Sequence, residues 1–476
     1  MIKTTLSIII ALSCTQLYAQ KSLTKQYSAE ESNAVIKKAY EDLKLYHAGL
    51  YRYSAKKEFD QYVDSLQSSV KAPLTELELY RKMKPMVSKA RCLHTDLITA
   101  VSYDGSLDRE PNLLPLQLFL DNGHLYVVKS FENVPFLFPN DEILAINKKT
   151  TVQILQKIIP AIPADGYNQT MKHLAVYHQF PSWYRSMVEV ANDFEITVLR
   201  DHKQITVKVK GAKFSELAKP GFLKPFENKR QLEFTISNQT GILVIRSFAR
   251  SDIKAGKQRF REFIDQAFEQ LKNGKTKNLI IDLRYNTGGS DPNAAYLSRY
   301  FFNEPYRYWD RIEVAEGTAK SIKGILALFY RKPIRKDSVW LWQKGKLTEE
   351  FDFTDPMQPQ QNNFKGNVYL LINGFCMSSC ADFAAILSKN KNVKTVGEET
   401  GGGYQGNNSG IMPGLNLRPT GLVLTVPLQK YYNAVDLSKN FGRGIMPDHP
   451  VKFTVEDLIS GKDKVMIKAM ELIAIN

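Results

Sequence analysis

Short apolar runs alternate with amphipathic stretches through the second half of the chain, and this alternation restricts the fold more than any other feature. The apolar runs have the length of strands, and the stretches between them have helical periodicity. Strands are predicted at 241–245, 278–283 and 368–372, and helices at 257–271, 292–301 and 379–389. Because strands that alternate with helices usually pair in parallel, we predict an α/β core with a mostly parallel sheet covered by helices.

Two further regions are expected before this core, because 476 residues exceed what one hydrophobic core normally organises. Apolar residues three and four positions apart predict an N-terminal helical domain at 25–105. Short strands and a hairpin around Asp201 and His202 predict a small α+β domain at 108–212, which resembles the PDZ type. Such a domain either binds peptide C-termini at a sheet edge or serves as a structural spacer.

A linker at 213–230, which holds prolines and charges, is predicted to lead into the core at 231–476. Residues 305–362 interrupt the alternation of strands and helices and are rich in Tyr, Trp and Lys, so they are predicted to form an insertion or lid. The chain is predicted to end in an amphipathic helix at 455–473.

The N-terminus has the pattern of an export signal. Lys3 precedes a short apolar run, and small or polar residues follow up to Ala19. The apolar run is too short to span a bilayer, so we predict a signal peptide at 1–19 and an exported protein in the periplasm or outside the cell. The alternative is a lipid anchor on Cys14, although the residues before it make a poor lipidation motif.

The net charge of +15 comes from basic residues spread along the whole chain. Without an arginine-rich stripe interleaved with aromatic residues, a solvated basic surface is favoured over nucleic-acid binding. Removal of the predicted signal leaves three cysteines, Cys92, Cys376 and Cys380, an odd number that argues against a disulfide scaffold. The sequence has no paired CxxC and no HExxH motif of the kind that binds zinc, and no metal or organic cofactor is predicted.

Four short motifs could carry chemistry. The segment G-F-C-M-S-S-C-A-D at 374–382 follows a predicted strand and runs into a helix, where unpaired N–H groups favour negative charge. A strand ending D-L-R-Y-N-T-G-G reaches Gly288 and Gly289, and glycines at such a place let backbone N–H groups approach a ligand. The other two are V-G-E-E-T-G-G-G at 396–403 and G-R-G-I-M-P-D at 442–448. Taken singly, each motif also fits an ordinary helix cap or turn.

In chain order, with D-L-R-Y-N-T-G-G ahead of the serine segment, the four motifs resemble those of the tail-specific (C-terminal-processing) serine peptidase family. The resemblance implies a core of crotonase-like ββα units in which Ser379 is the nucleophile, with Ser378 as the fallback. It also implies an oxyanion hole formed by backbone N–H groups of Gly288, Gly289 and Cys380.

The general base departs from the best-known branch of the family, in which a lysine follows the V-G-E-x-T-x-G turn. Here residues 401–404 are three glycines and a tyrosine. A second branch resembles the tricorn protease core and uses a histidine that precedes the PDZ-like domain. His94 stands at that place, and an imidazole is a suitable base for a serine hydroxyl. Glu398 and Asp436 are the candidates for a carboxylate that would orient this histidine.

If His94 reaches Ser379, Cys92 should also lie near Cys376 or Cys380, and a disulfide between neighbouring cysteines is expected in an oxidising compartment. The resemblance implies an exported serine endopeptidase that cleaves proteins or peptides by acyl transfer. The alternative is a non-catalytic protein on the same fold that binds peptides or hydrophobic ligands, since a fold does not determine a function.

Overall fold

The computed structural model describes residues 24–131, 134, 136–218, 230–348, 350–351 and 355–475. The predicted signal peptide, with Cys14, lies outside the described residues, as does most of the predicted linker. Among the helices of the described ranges, none is both long and apolar enough to cross a membrane.

Four helices and three very short strands form the N-terminal region. The strands are β1 (Gln26–Tyr27), β2 (Leu74–Thr75) and β3 (Asp96–Ile98), and the helices are α1 (Ala29–Tyr46), α2 (Lys56–Ser68), α3 (Glu76–Ser88) and α4 (Val101–Leu107). Helices α1 and α3 begin at capping boxes, in which Ser28 pairs with Glu31 and Thr75 pairs with Glu78. These caps satisfy backbone N–H groups that would otherwise lack partners at the helix starts.

A second sheet, which we call the middle sheet, follows. Its strands are β4 (Leu116–Asp121), β5 (His124–Ser130), β6 (Glu142–Ile146), β7 (Lys149–Thr150), β8 (Asp193–Arg200) and β9 (Lys203–Lys210), with helices α5 (Thr151–Ile158), α6 (Thr170–Met187) and the short α7 (Phe214–Leu217). The predicted hairpin is confirmed, since Arg200 pairs with Lys203 across two residues of positive φ. Buried residues of the middle sheet and of the N-terminal helices belong to one hydrophobic core, so the two regions pack together.

The strands of the C-terminal half form three sheets. They are β10 (Leu232–Ser237), β11 (Thr240–Ile245), β12 (Asn278–Asp282), β13 (Trp309–Val314), β14 (Ile334–Lys336), β15 (Val339–Leu341), β16 (Asn367–Ile372), β17 (Val393–Gly397), β18 (Asn408–Ser409), β19 (Gly414–Asn416), β20 (Val423–Thr425), β21 (Gln429–Asn433) and β22 (His449–Pro450). The main sheet has the order β10-β11-β12-β16-β17-β22. All its neighbours are parallel except β10 and β11, as the alternation of strands and helices predicts.

Helices cover both faces of the main sheet. The helices of this half are α8 (Arg250–Ala255), α9 (Phe260–Asn273), α10 (Asp291–Ser298), α11 (Glu316–Ser321), α12 (Leu326–Phe329), α13 (Ser379–Leu387), α14 (Val455–Ser460) and α15 (Lys464–Ile475). One face packs against α9, α10 and α13, and the other packs against α15. The single C-terminal helix predicted at 455–473 is wrong, because Gly461 adopts a left-handed conformation (φ 67°) that ends α14.

An aromatic-rich sheet, of order β14-β15-β13-β21-β18, contains the strands of the predicted insertion. Strand β13 pairs along its length with β21, which lies more than a hundred residues later in the chain. Residues 305–362 are therefore joined by backbone hydrogen bonds to the segment that follows the V-G-E-E-T-G-G-G turn.

A small third sheet joins the N-terminal region to the core. Strand β3 pairs antiparallel with β20, so that Leu97 lies opposite Leu424. The buried side chains of Leu417, Leu422 and Leu424 extend the N-terminal core into this sheet. His94, two residues before β3, is thereby held against the C-terminal half of the molecule.

Candidate active site

The candidate nucleophile begins helix α13, just beyond the end of strand β16. Ser378 caps this helix with φ 53° and ψ −134°, a conformation that non-glycine residues rarely adopt and that is often found at functional sites. Ser379 is the first helical residue and only 1% exposed, and its Oγ has no hydrogen-bond partner among the described residues. The hydroxyl therefore lies near the positive end of the helix dipole without being used as a cap.

The glycine pair after strand β12 packs directly against these serines. A Cβ on Gly288 would lie 2.7 Å from Cβ of Ser378 and 3.1 Å from the backbone N of Ser379, and Gly288 has φ +100°. Gly289 packs as closely against Ala249, whose backbone N would be 2.1 Å from an added Cβ. Only glycine allows this approach, so the two motifs that resemble the peptidase family meet at one point.

Two of the three N–H groups expected to form the oxyanion hole, those of Gly288 and Cys380, already have partners. The Gly288 N–H donates to Oδ1 of Asn286 at 2.9 Å, and the Cys380 N–H donates to the carbonyl oxygen of Met377 at 3.1 Å. An oxyanion would have to replace these acceptors. The structure therefore places the N–H groups of Gly288 and Cys380 beside the nucleophile but engages both in hydrogen bonds within the chain.

His94 reaches the core on a short segment held by a buried carboxylate. The Leu93 N–H donates to Oδ1 of Asp165 at 2.9 Å, and the Gly403 N–H donates to Oδ2 of the same residue at 3.3 Å. Burial raises the pKa of Asp165 to about 6. This carboxylate ties the histidine segment to the glycine-rich turn that follows β17.

The imidazole of His94 is neutral at physiological pH. Burial lowers its pKa to about 4, and a hydrogen bond to the backbone of Asn408 opposes this shift only in part. Its Nδ1 is buried and has no partner among the described residues. A proton acceptor is thus available next to the core.

Asn407 and Asn408 connect His94 to the helix of the candidate nucleophile. Asn408 contacts the His94 ring through its backbone, and Nδ2 of Asn407 donates to both carboxylate oxygens of Asp382, each at 3.0 Å. Asp382 lies one turn after Ser379 in α13. The loop therefore links to His94 through Asn408 and to Asp382 of the nucleophile's helix through Asn407, while Oγ of Ser379 and Nδ1 of His94 each remain without a partner in the described chain.

The candidate orienting carboxylates lie elsewhere. Glu398 lines a cavity with Arg284 and Tyr285, where burial raises its pKa to about 7. Asp436 instead accepts hydrogen bonds from the backbone and hydroxyl of Ser438 on the surface. In the described chain, neither carboxylate is brought into hydrogen-bonding contact with His94.

Sequence reasoning missed the polar residues that support this site. Asp382 was singled out only by its place after the serine, yet it is buried, and this burial raises its pKa to about 7 despite hydrogen bonds from Asn407, Asn433 and Trp309. A carboxylate three residues after a helix-capping serine was the one signal available. The two asparagines gave none, because asparagine in a loop is ordinary.

The three cysteines of the described chain are free, so the predicted disulfide is wrong. Cys92 donates to the carbonyl of Asn408, at 3.6 Å, whereas Cys376 donates to the carbonyl of Leu283, at 2.9 Å. Cys376 and Cys380 instead contact each other within the nucleophile segment. The pairing fails because the histidine segment meets the loop after the V-G-E-E-T-G-G-G turn rather than the cysteine side of α13.

The ends of the parallel strands thus present a strained serine, a glycine pair and a helix start close together. A model of peptidase family S41 matches residues 239–451. The C-terminal core thus matches peptidase family S41, and this match indicates a serine-type peptidase. The matched residues include both serines and both glycines, but not His94.

Solved structures of similar fold cover nearly the whole chain. Mature CPAF complexed with lactacystin is 13% identical, with a TM-score of 0.66 over 94% of this chain and 98% of that chain. Mature CPAF without that compound is 12% identical, with a TM-score of 0.61 over 92% and 99%. At this identity the likeness concerns the fold, which includes the N-terminal helices and the middle sheet as well as the core.

Proposed function

We propose that Ser379 is the nucleophile and His94 the general base of an exported endopeptidase that cleaves proteins or peptides by acyl transfer. The observation that carries the proposal is the pair of buried, unpartnered atoms, Ser379 Oγ and His94 Nδ1, on segments joined through Asn407 and Asn408. Unpartnered polar atoms are uncommon inside proteins, and each of these two belongs to a residue to which the family resemblance gives a part in the reaction.

The reaction would follow the usual course of serine acyl transfer. Oγ of Ser379 bonds to the substrate carbonyl carbon as its proton passes to the neutral His94 ring, and the carbonyl π electrons move onto oxygen. Collapse of this intermediate breaks the C–N bond, and His94 returns the proton to the departing amine. Water then attacks the acyl-enzyme by the same route and releases the acid.

The oxyanion hole requires a local rearrangement. We propose that the N–H groups of Gly288 and Cys380 turn from Asn286 and Met377 toward the oxyanion, with Gly289 providing the freedom for this turn. Ser378 is the fallback nucleophile, and its strained backbone instead supports a role in aiming Ser379. No carboxylate is assigned to orient His94.

The middle sheet is proposed to act as a PDZ-like domain that holds substrate C-termini. A cavity of 380 Å³ lies between β4, α5 and α6 on one side and the ends of the main-sheet strands on the other. Phe119, Leu155 and Leu174 give it an apolar lining. An extended peptide end could add to β4 and place apolar side chains there.

A fluorophosphonate probe tests the nucleophile. We expect the purified protein to be labelled and to cleave unfolded casein, and Ser379→Ala to lose both activities. The matched control is Ser378→Ala, which should still be labelled. His94→Gln should slow labelling by about 100-fold or more, the size of a general-base contribution. An absence of labelling and cleavage in the unmodified protein would instead favour the non-catalytic binding protein.

A further inference from the structure

A second cavity, of 450 Å³, opens beside the glycine pair. Gly289 and Asp291 form one side of it, and Trp309, Phe351 and Tyr431 form the other. Gly288, the preceding residue, lies against the backbone N of Ser379. The cavity is therefore one residue away from the place where a scissile carbonyl would be held.

The walls of this cavity suit a long unbranched side chain. The rings of Trp309 and Phe351 stack with centroids 4.7 Å apart, and Tyr431 packs on Trp309 at the same separation. Aromatic faces pack well against methylene groups and also attract a cation at the end of such a chain.

Two acidic side chains, those of Glu350 and Asp291, line the cavity. Glu350 is held in place by the Gly345 N–H at 2.6 Å and by Nε1 of Trp342 at 3.2 Å. Asp291 lies at the start of α10. Within the described residues, neither carboxylate forms a salt bridge, although Arg250 also lines the cavity and adds one positive charge.

A buried amide adds a further unmet contact. Gln429 is 1% exposed and lines the cavity, and its Oε1 accepts the Ile411 N–H at 2.9 Å. Its Nε2 has no partner among the described residues. This donor is suited to a carbonyl oxygen of a bound peptide.

We propose that this cavity is a specificity pocket that receives the lysine or arginine side chain of a substrate residue flanking the cleaved bond. The methylene stem would lie against the outer surface of this aromatic wall, and the cationic group would pair with Asp291 and Glu350. Apolar walls alone would accept leucine or phenylalanine equally well, so the two carboxylates carry the preference for a cation. The inference rests on the proposed function, because it places the pocket relative to Ser379.

The acidic side chains in and near this cavity repel one another. Burial raises the pKa of Asp291 to about 8, with repulsion from Asp382 and Glu350 adding to the shift. A bound ammonium or guanidinium group would relieve this repulsion. A pocket lined only by aromatic rings has no repulsion between acids that a bound cation could relieve.

The test begins with unfolded casein digested by the purified protein and the new termini identified by mass spectrometry. Two fluorogenic peptides are then made from one cleaved sequence, with either lysine or norleucine at the flanking position. Norleucine keeps the methylene chain and lacks the ammonium group. We expect kcat/KM to be about tenfold or more higher for the lysine peptide, the size of one charge-assisted contact.

Asp291→Asn and Glu350→Gln should each reduce this ratio to about threefold or less. The matched control is Asp310→Asn, an acidic residue of the same strand as Trp309 that pairs with Arg311 and does not line the cavity. A preference for norleucine, or a ratio unchanged in both carboxylate variants, would overturn the pocket. If the unmodified protein were not labelled by the fluorophosphonate probe, the proposed function would be overturned instead.

Discussion

Replacing Gly288 by alanine should lower both the activity of the site and the stability of the fold, and the two effects can be measured separately. Gly288 has φ +100°, and an added Cβ would lie 2.7 Å from Ser378 Cβ and 3.1 Å from Ser379 N. An L-residue in such a conformation costs about 1–3 kcal/mol, and overpacking adds about 1–3 kcal/mol. The free energy of unfolding should therefore fall by roughly 2–6 kcal/mol.

Activity should fall further than stability predicts, because the methyl group pushes on the nucleophile itself. A displacement of about 1 Å at a reacting atom lowers the rate by about 100-fold. We would measure urea unfolding and the rate of fluorophosphonate labelling at a temperature where the variant remains folded. Labelling at the unmodified rate would refute the close packing of Gly288 on Ser379.

Two other glycines supply the controls for this substitution. Gly461 has φ +67° with open space around an added Cβ, so Gly461→Ala measures the conformational term alone. Gly105 lies within α4, and a Cβ added there would meet no atom within 4 Å outside the backbone of its own helix. Gly105→Ala should therefore be neutral or slightly stabilising. Neither should change labelling, and equal losses in Gly461→Ala and Gly288→Ala would show that packing contributes nothing.

The rate of labelling should rise as pH increases through about 4 and then stay level to neutrality, because His94 must be unprotonated to accept the serine proton and its pKa is lowered to about 4. A rise centred near pH 7 would indicate a different base. Arg284→Lys should lower the free energy of unfolding by about 1–3 kcal/mol in urea, because Arg284 joins Asp282 to Asp463 with paired hydrogen bonds that lysine cannot reproduce. The surface pair Arg259–Glu262 is the control, and Arg259→Lys should leave the urea midpoint unchanged, because exposed ion pairs contribute little to stability.

Local patterns were sufficient to predict three strands of the main sheet and their parallel pairing. The apolar runs at β11, β12 and β16 and the amphipathic stretches between them follow directly from burial of one sheet between helices. The hairpin of the middle sheet was equally local, because a two-residue turn fixes its register. The break at Gly461 was missed because a glycine within an amphipathic pattern signals a helix end only weakly.

The site depends on contacts that no local pattern reports. His94 is positioned by the pairing of β3 with β20, more than three hundred residues later in the chain. The assignment of this histidine came from resemblance to a family, since periodicity says nothing about such distant pairs. The direction of the Glu398 side chain, into the cavity with Arg284, was also beyond prediction, because residues after a strand end can face either side of the sheet.

Asn286 explains how the Gly288 N–H can be hydrogen-bonded within the chain and still serve as an oxyanion donor. Its side chain donates to the Ile245 carbonyl and accepts from Gly288 N–H, while its own carbonyl accepts from Met377 N–H. One buried residue thus fixes β11, the glycine pair and the nucleophile segment together. Exchanging the Gly288 bond for one to an oxyanion gives up a neutral hydrogen bond, with a net value of about 1 kcal/mol. A donor in an oxyanion hole contributes about 3–4 kcal/mol in the transition state. The exchange is therefore favourable only once charge develops on the substrate oxygen, which would make the rearrangement part of catalysis rather than an obstacle to it.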